Sequence, residues 1–234
     1  MEWRPFSPGY LLEVLPVLLP FLGVTLAVTV GTILFGSLLG GLLAWAGKQS
    51  SRLLQALSYS YIYLIRCTPS IVLLFIVFYG LPKFCLEVLE TDINDYDKIF
   101  FVLVSFTLLF AAPISEVMRS AWEAIDRGQY EAAVSIGLSP EQAFFYIVLP
   151  QAAVVALPNF SNSVINLMKE GALAYTIGLV DMIGKGQLII SHNYGAYALE
   201  TYLALAGIYL VLTIGVEKLC RQLEHSFSPS RRMV

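Results

Sequence analysis

The sequence predicts an all-α protein that crosses a lipid bilayer five times. Three observations carry that prediction. Hydrophobic residues make up 57% of the 234-residue chain and charged residues only 13%, about half of the roughly 25% that a soluble domain carries. Long windows hold no Asp, Glu, Lys or Arg: Glu13 to Lys48, Arg52 to Arg66, Arg66 to Lys83, Lys98 to Glu116, Glu141 to Lys169 and Glu200 to Glu217. The mean hydropathy is +0.72. An apolar excess of this size excludes a disordered chain, and a net charge of −3 leaves no basic surface for a phosphate backbone.

The first helix spans roughly 16–45 and is rich in glycine (Gly23, Gly31, Gly36, Gly40, Gly41). It is long enough to tilt or to extend past the membrane. Arg4 is the only basic residue before it, and the apolar run exceeds a signal-peptide core, so it is expected to stay as a helix. The second to fifth spans are expected at roughly 55–80, 99–118, 149–168 and 201–219, each near the ~20 residues a crossing needs. Pro69 and Pro113 are expected to disturb spans two and three by removing backbone donors. Residues 171–199 contain Lys185, Gln187, His192 and Asn193. They are too polar for a full span and hold at most a short membrane-dipping helix.

Five spans place the termini on opposite sides. Lys48, Arg52, Arg119, Arg127, Lys218, Arg221, Arg231 and Arg232 fall on one side, and Arg4, Lys83, Lys98, Lys169 and Lys185 on the other. The richer side is cytoplasmic by the positive-inside rule. The N-terminus is therefore expected outside and the C-terminus inside, with 1–225 a single transmembrane domain and 226–234 a cytoplasmic tail. This topology separates Cys67, Cys85 and Cys220, which argues against a disulfide framework or thiol metal site. His192 and His225 fall on opposite sides, and neither a phosphate-cradling Gly-Lys-Ser/Thr loop nor a nucleophile elbow is present in the sequence.

The segment 119–148 is too polar to span and carries strong helix signals. Asp126 can cap one helix, with Gln129 three residues on. Ser139 can cap a second, with Pro140 at its first position and Gln142 at its third. Gly137 between them suits a left-handed helix end. The expected structure is helix, tight turn, helix. Glu131 offers an acceptor, and Ala132 and Ala133 permit close approach of a partner. Two readings fit this chemistry: an amphipathic pair lying on the inner leaflet, or a rigid projection that docks a partner. The polar face carries Glu123, Asp126, Glu131 and Glu141 against Arg119 and Arg127, too acidic for a typical leaflet-binding helix.

Polar residues inside the expected spans mark the other candidate region. Arg66 lies near the middle of span two and Glu116 near the inner end of span three. They can pair across the membrane interior, or each can snorkel. Thr68 sits beside them at the Pro69 bend. Asn159, Asn162, Ser163 and Asn166 recur at three- and four-residue spacing and form one stripe on span four. Such a stripe faces protein or a water-filled path, which leaves subunit packing and a solute pathway both open.

Residues Glu131-Ala-Ala, Gly137 and Ile147-Val-Leu-Pro150 together resemble the cytoplasmic signature of ABC-importer permease subunits. Arg66-Cys-Thr-Pro69 is similar to the Arg-Gly-Thr-Pro of the polar amino acid branch. Glu116 with Arg119, Leu149-Pro-Gln-Ala152, and Leu157-Pro through Lys169-Glu170 to Ile177-Gly extend the likeness over roughly 15–225. The resemblance implies a type I importer permease with five core helices. It implies docking of ATP-binding cassette subunits at Glu131, Ala132, Ala133 and Gly137. ATP and Mg would be bound by those partners, with no cofactor or metal in this chain. It further implies a second permease copy or homologue and an extracytoplasmic solute-binding protein, which the acidic 87–97 loop can contact. Its substrate would be an amino acid, and its location the prokaryotic cell membrane.

Three departures bear on substrate. Ser161-Asn162-Ser163 stands where many relatives have Gly-Asn-Glu, Cys67 replaces a glycine, and Lys169-Glu-Gly-Ala-Leu173 replaces Lys-Asp-Thr-Ser-Leu. Losing an acid at 163 disfavours a cationic side chain. The expected substrate is a neutral, zwitterionic or acidic amino acid, with cystine a candidate. The competing classes are a membrane enzyme, for which only Arg66 and Glu116 lie inside spans, and a structural or assembly protein, for which the amide stripe is unusually polar.

Overall fold

The computed structural model describes residues 5–227. Arg4, Arg231 and Arg232 of the charge count, and tail residues 228–234, lie outside the described residues. α1 (Pro8–Leu18), a 3-10 turn (Leu19–Phe21) and α2 (Leu22–Ala46) follow each other directly. They make a 39-residue apolar run, Pro8–Ala46, roughly 58 Å long at helical rise and about twice the hydrocarbon thickness. The run is long enough for either the expected tilt or the expected extension past the membrane. Pro16 lies shortly before the tightened turn and Pro20 within it, and neither has an N–H donor.

The second span differs from expectation. α3 (Arg52–Cys67) ends at Thr68, and α4 (Ser70–Phe75) starts anew after Pro69, whose ψ of 136° leaves the helical region. A π turn (Ile76–Gly80) and α5 (Leu81–Leu89) continue it, so the apolar crossing is Ser70–Leu89 rather than 55–80. Proline excludes the helical bond it would have made and biases its predecessor toward extended backbone. Arg66 consequently lies in the last turn of α3, exposed, instead of in mid-span. α6 (Lys98–Glu123) behaves differently: it passes through Pro113 as one helix.

α7 (Arg127–Ser135) and α8 (Pro140–Ala143) lead through a π turn (Phe144–Val148) into α9 (Leu149–Glu170) and a 3-10 segment (Gly171–Ile177). α10 (Met182–His192) and α11 (Ala198–Phe227) complete the described chain. Eleven residues of α10 reach about 17 Å, which accords with the expected absence of a span between 171 and 199. Five helices are long and apolar enough to cross a membrane among the described residues: Pro8–Ala46, Ser70–Leu89, Lys98–Glu123, Pro140–Ile177 and Ala198–Ser226.

The chain divides into two compact units. One draws on the segments up to Leu34, Thr68–Thr107 and Asn166–Ile214; the other on Phe35–Cys67, Leu108–Ile165 and Gly215 onward. In the first unit α6 supplies the buried Phe101, Val102, Ser105 and Phe106, and a second cluster joins Val14 and Leu18 of α1 to Met182, Ala204 and Leu205. Tyr10 stacks on Tyr197 with ring centroids 3.8 Å apart, and Asn193 donates to the Tyr10 hydroxyl.

In the second unit α6 again supplies the core, through Ala111, Ala112, Ile114 and Ser115. Here α2 approaches so closely that a Cβ on Gly40 would stand 3.0 Å from the Ala111 carbonyl oxygen and 3.0 Å from Ile114. This is the small-residue contact by which helices associate in lipid, where backbone approach replaces hydrophobic burial. Ser58 donates to the Leu43 carbonyl at 2.8 Å and Tyr61 to the Leu108 carbonyl at 2.9 Å, so one face of α3 is fastened by hydrogen bonds to both α2 and Leu108 of the third span.

Candidate functional sites: the α7–α8 turn and the polar face of α9

The connection from α6 to α9 is built almost entirely from local capping. Asp126 accepts from the Gly128 amide at 2.7 Å and starts α7. Ser139 accepts from the Gln142 amide at 3.2 Å while Gln142 accepts from the Ser139 amide at 2.9 Å, a complete capping box with Pro140 at the first position. Between the helices Gly137 has φ +96°. Its amide donates to Val134 (3.0 Å) and the Leu138 amide to Ala133 (3.2 Å), the paired 5→2 and 6→1 bonds of a Schellman end. Each expected cap is present, and the two short helices are joined by a turn of defined geometry.

Glu131, Ala132 and Gly137 are exposed, as a docking surface requires. Ala133 is not: it is 4% exposed. Its small side chain lets α7 pack inward, so it shapes the site without presenting a surface. Ile136, 82% exposed, is the most prominent apolar side chain of the turn, and residue type alone does not single it out.

Of the two arrangements open to Arg66 and Glu116, pairing with each other is absent. Glu116 pairs with Arg119 one turn on, at 2.6 Å, and Arg119 also holds Glu123 at 2.8 Å. Glu123 in turn receives Lys48 at 2.6 Å. Arg66 forms no ion pair among the described residues, because the break at Pro69 moves it to the exposed end of α3. Thr68 is half-buried in that break.

On α9, Asn159, Asn162 and Asn166 are exposed, while Ser161, Val164, Ile165, Leu167 and Met168 are buried on the opposite side. Ser163 is half-buried and returns its hydroxyl to the Asn159 carbonyl at 3.0 Å. The stripe is thus a polar face turned away from the chain's own core.

Two groups escaped the sequence reading. Asp181, 2% exposed, caps α10 by accepting from the Gly184 amide at 2.8 Å and also accepts from the Thr25 hydroxyl at 3.2 Å. Burial pushes its carboxyl above the ordinary value, while those hydrogen bonds act in the opposite direction. The Asp-x-x-Gly spacing before a helix was the available signal. Glu170 accepts from the Ser70 hydroxyl at 3.1 Å. That contact joins residues 100 apart and has no local signature.

Residues 36–228 match the family described as "Binding-protein-dependent transport system inner membrane component". The chain is 38% identical over 211 residues to the L-cystine transport system permease protein TcyL of Bacillus subtilis (strain 168), covering 90% of this chain and 87% of that one. It is 35% identical over 205 residues to the probable amino-acid permease protein YxeN of the same organism, covering 88% of each. Among solved structures, one titled "Crystal structure of an amino acid ABC transporter with histidines" superposes with a TM-score of 0.80 at 28% identity, over 95% of this chain and 100% of that one. The fold and these matches agree: the chain belongs to the binding-protein-dependent transport system inner membrane components, the non-catalytic, multi-pass permease subunits of ABC importers.

Proposed function

We propose that this permease forms the pathway of an ATP-driven importer for a polar amino acid without a cationic side chain, with cystine as the leading candidate. The α7–α8 turn carries this reading. Glu131, Ala132 and Gly137 are exposed on a rigid helix pair, suited to receive an ATP-binding cassette subunit. ATP and Mg stay on that partner. Movement of the docked ATPases then passes to the spans as alternating access. The cystine assignment is supported by the relative TcyL and by Ser163 in place of an acid.

In this reading the N-terminus is outside the inner membrane of a bacterial cell and the C-terminus is cytoplasmic, by the distribution of Lys and Arg. A second permease copy or homologue faces the Asn159, Asn162, Ser163 and Asn166 stripe across the solute path. The exposed acidic loop with Asp92, Asp95 and Asp97 faces a solute-binding protein. Arg66, Thr68 and Glu116 belong to the pathway's cytoplasmic end, with Glu116 held by Arg119.

The test is competitive uptake in a deletion strain complemented with this gene. Labelled cystine should enter only in the complemented strain and should be displaced by unlabelled cystine, with arginine and histidine ineffective. Uptake that arginine displaces best overturns the substrate assignment. Unchanged amino-acid uptake on deletion, together with no ATPase co-purifying, overturns the transporter reading.

A further inference from the structure

The α7–α8 turn adjoins a cluster in the second unit in which Lys48, Trp122 and Glu123, outside both the family motif and the polar stripe, join the Glu116–Arg119 pair. Lys48, in the linker between α2 and α3, places its ammonium 2.6 Å from Glu123 at the end of α6. The same ammonium stands 5.6 Å above the centroid of Trp122. Glu123 is shared with Arg119 (2.8 Å), which is anchored to Glu116 (2.6 Å). Trp122 packs on Phe144, with ring centroids 4.9 Å apart, in the π turn that leads from α8 into α9. Only Ala124, Ile125 and Asp126 separate Glu123 from α7, and they are held by the amides of Ala124 and Ile125 donating to Ser120 and Trp122.

Lys48 therefore touches the chain entering α7 directly, at Glu123 and the Trp122 ring, and reaches the chain leaving α8 at second hand, through the packing of Trp122 on Phe144. It also belongs to the five-residue linker that joins α2 to α3. Alternating charge along Lys48, Glu123, Arg119 and Glu116 leaves the cluster neutral. A neutral, hydrogen-bonded chain can hold these contacts at a membrane boundary without a desolvated surplus charge.

We propose that Lys48 is a positioning residue for energy coupling. It links the docked α7–α8 turn to the α2–α3 linker, so that displacement of the turn moves α2 and α3 together with α6 and α9. This rests on the docking role proposed above and adds the route by which docking reaches the helices. Two contacts of one ammonium, a charge pair and a ring face, make the link geometrically specific. Each contact is partly exposed, so its contribution to overall stability is small. The link matters for which parts move together, not for whether the chain folds.

The experiment uses the complete permease–ATPase complex in proteoliposomes, with labelled cystine inside-directed by the binding protein. Lys48→Met removes both contacts and keeps the length of the side chain. Its complex should co-purify normally and hydrolyse ATP at close to the wild-type rate. Cystine moved per ATP hydrolysed should fall about two- to five-fold, the span that an exposed ion pair with a ring contact supports. Lys48→Arg, which keeps the charge and the ring contact, should restore the ratio. Adding Glu123→Gln to Lys48→Met should lower it by less than Glu123→Gln lowers it in the wild type, because the Lys48 contact is already lost and only that to Arg119 remains.

A wild-type ratio in Lys48→Met overturns the proposal. A parallel loss of hydrolysis, transport and complex recovery also overturns it, because that outcome marks a cluster that only supports folding. Failure of the wild-type chain to bind an ATPase overturns the docking role and this inference with it, and it is visible before any variant is read.

Discussion

Gly137→Val tests the docking turn most directly. At φ +96° an L-residue is strained, by roughly 1–2 kcal/mol for an unbranched side chain and more for a β-branched one. Nothing lies within 4 Å of a Cβ built there, so the cost is purely backbone. If the turn relaxes, the Gly137 and Leu138 amides lose Val134 and Ala133 as acceptors, at about 0.5–1.5 kcal/mol each. α7 has nine residues and is too short to persist on its own caps alone. A combined ~2 kcal/mol shifts the equilibrium away from the competent turn about 30-fold. The assay is ATP-dependent uptake in proteoliposomes, with recovery of the permease and of bound ATPase measured in parallel. Asn tolerates a left-handed backbone better than Ala or Val, so uptake should fall in the order Gly, Asn, Ala, Val while permease recovery stays constant. Equal uptake for Gly137→Val and wild type, or a ranking by side-chain size with Asn worse than Ala, refutes the reasoning.

Three further outcomes follow from the packing. Gly40→Leu drives a side chain into the Ala111 carbonyl and Ile114 and should lower the thermal midpoint in detergent, by an overpacking cost of about 1–3 kcal/mol; Gly207→Ala, with open space around its Cβ, should not. Arg119→Ala leaves Glu116 and Glu123 without their shared partner and should lower the thermal midpoint only slightly, because the pairs are partly exposed and Glu123 keeps Lys48, with Arg119→Lys intermediate because an ammonium cannot copy the guanidinium fork. Asp181→Ala removes the α10 cap and the Thr25 contact, for a loss of about 1–2 kcal/mol by chemical or thermal unfolding. The folded-state carboxyl of Asp181 sits above its ordinary value. Its contribution is therefore fully present below that ordinary value and declines as pH rises toward the raised one. An Asp181→Asn variant should lack this decline, and identical pH profiles for the two proteins would count against the buried-carboxyl account.

Local chemistry was legible where structure is local. The Asp126 and Ser139 caps, the Gly137 turn and the α9 stripe each lie within a few residues, and hydrogen-bonding capacity and helical period determine them. Pro69 was legible as a disturbance. Its consequence was not, because a hydropathy window averages across Arg52–Cys67 and Ser70–Leu89 and cannot say on which side of the break the crossing lies. The Glu116 partner illustrates a competition: Arg119 at i+3 needs no tertiary encounter, whereas Arg66 would have to meet Glu116 across helices. The burial of Ala133 and the bridge from Lys48 to Glu123, 75 residues away, depend on which faces pack together. No spacing in a single sequence encodes that.

The α9 stripe decides whether the pathway reading is physical. Asn159, Asn162 and Asn166 are exposed, and an amide moved into hydrocarbon without hydrogen bonds costs roughly 2–7 kcal/mol. Three of them against lipid would cost roughly 6 kcal/mol at the least, which is comparable to the entire stability of a typical domain. The face must therefore meet water or another protein's polar groups. These alternatives separate by accessibility. In a chain whose three free thiols, Cys67, Cys85 and Cys220, are replaced by Ser, Asn162→Cys should react with a small membrane-impermeant maleimide, and its rate should change when the complex is trapped with ATP and vanadate. A helix packed permanently over the stripe would leave Cys at 162 unreactive in both states. That result would assign the amides to subunit packing and remove them from the solute path.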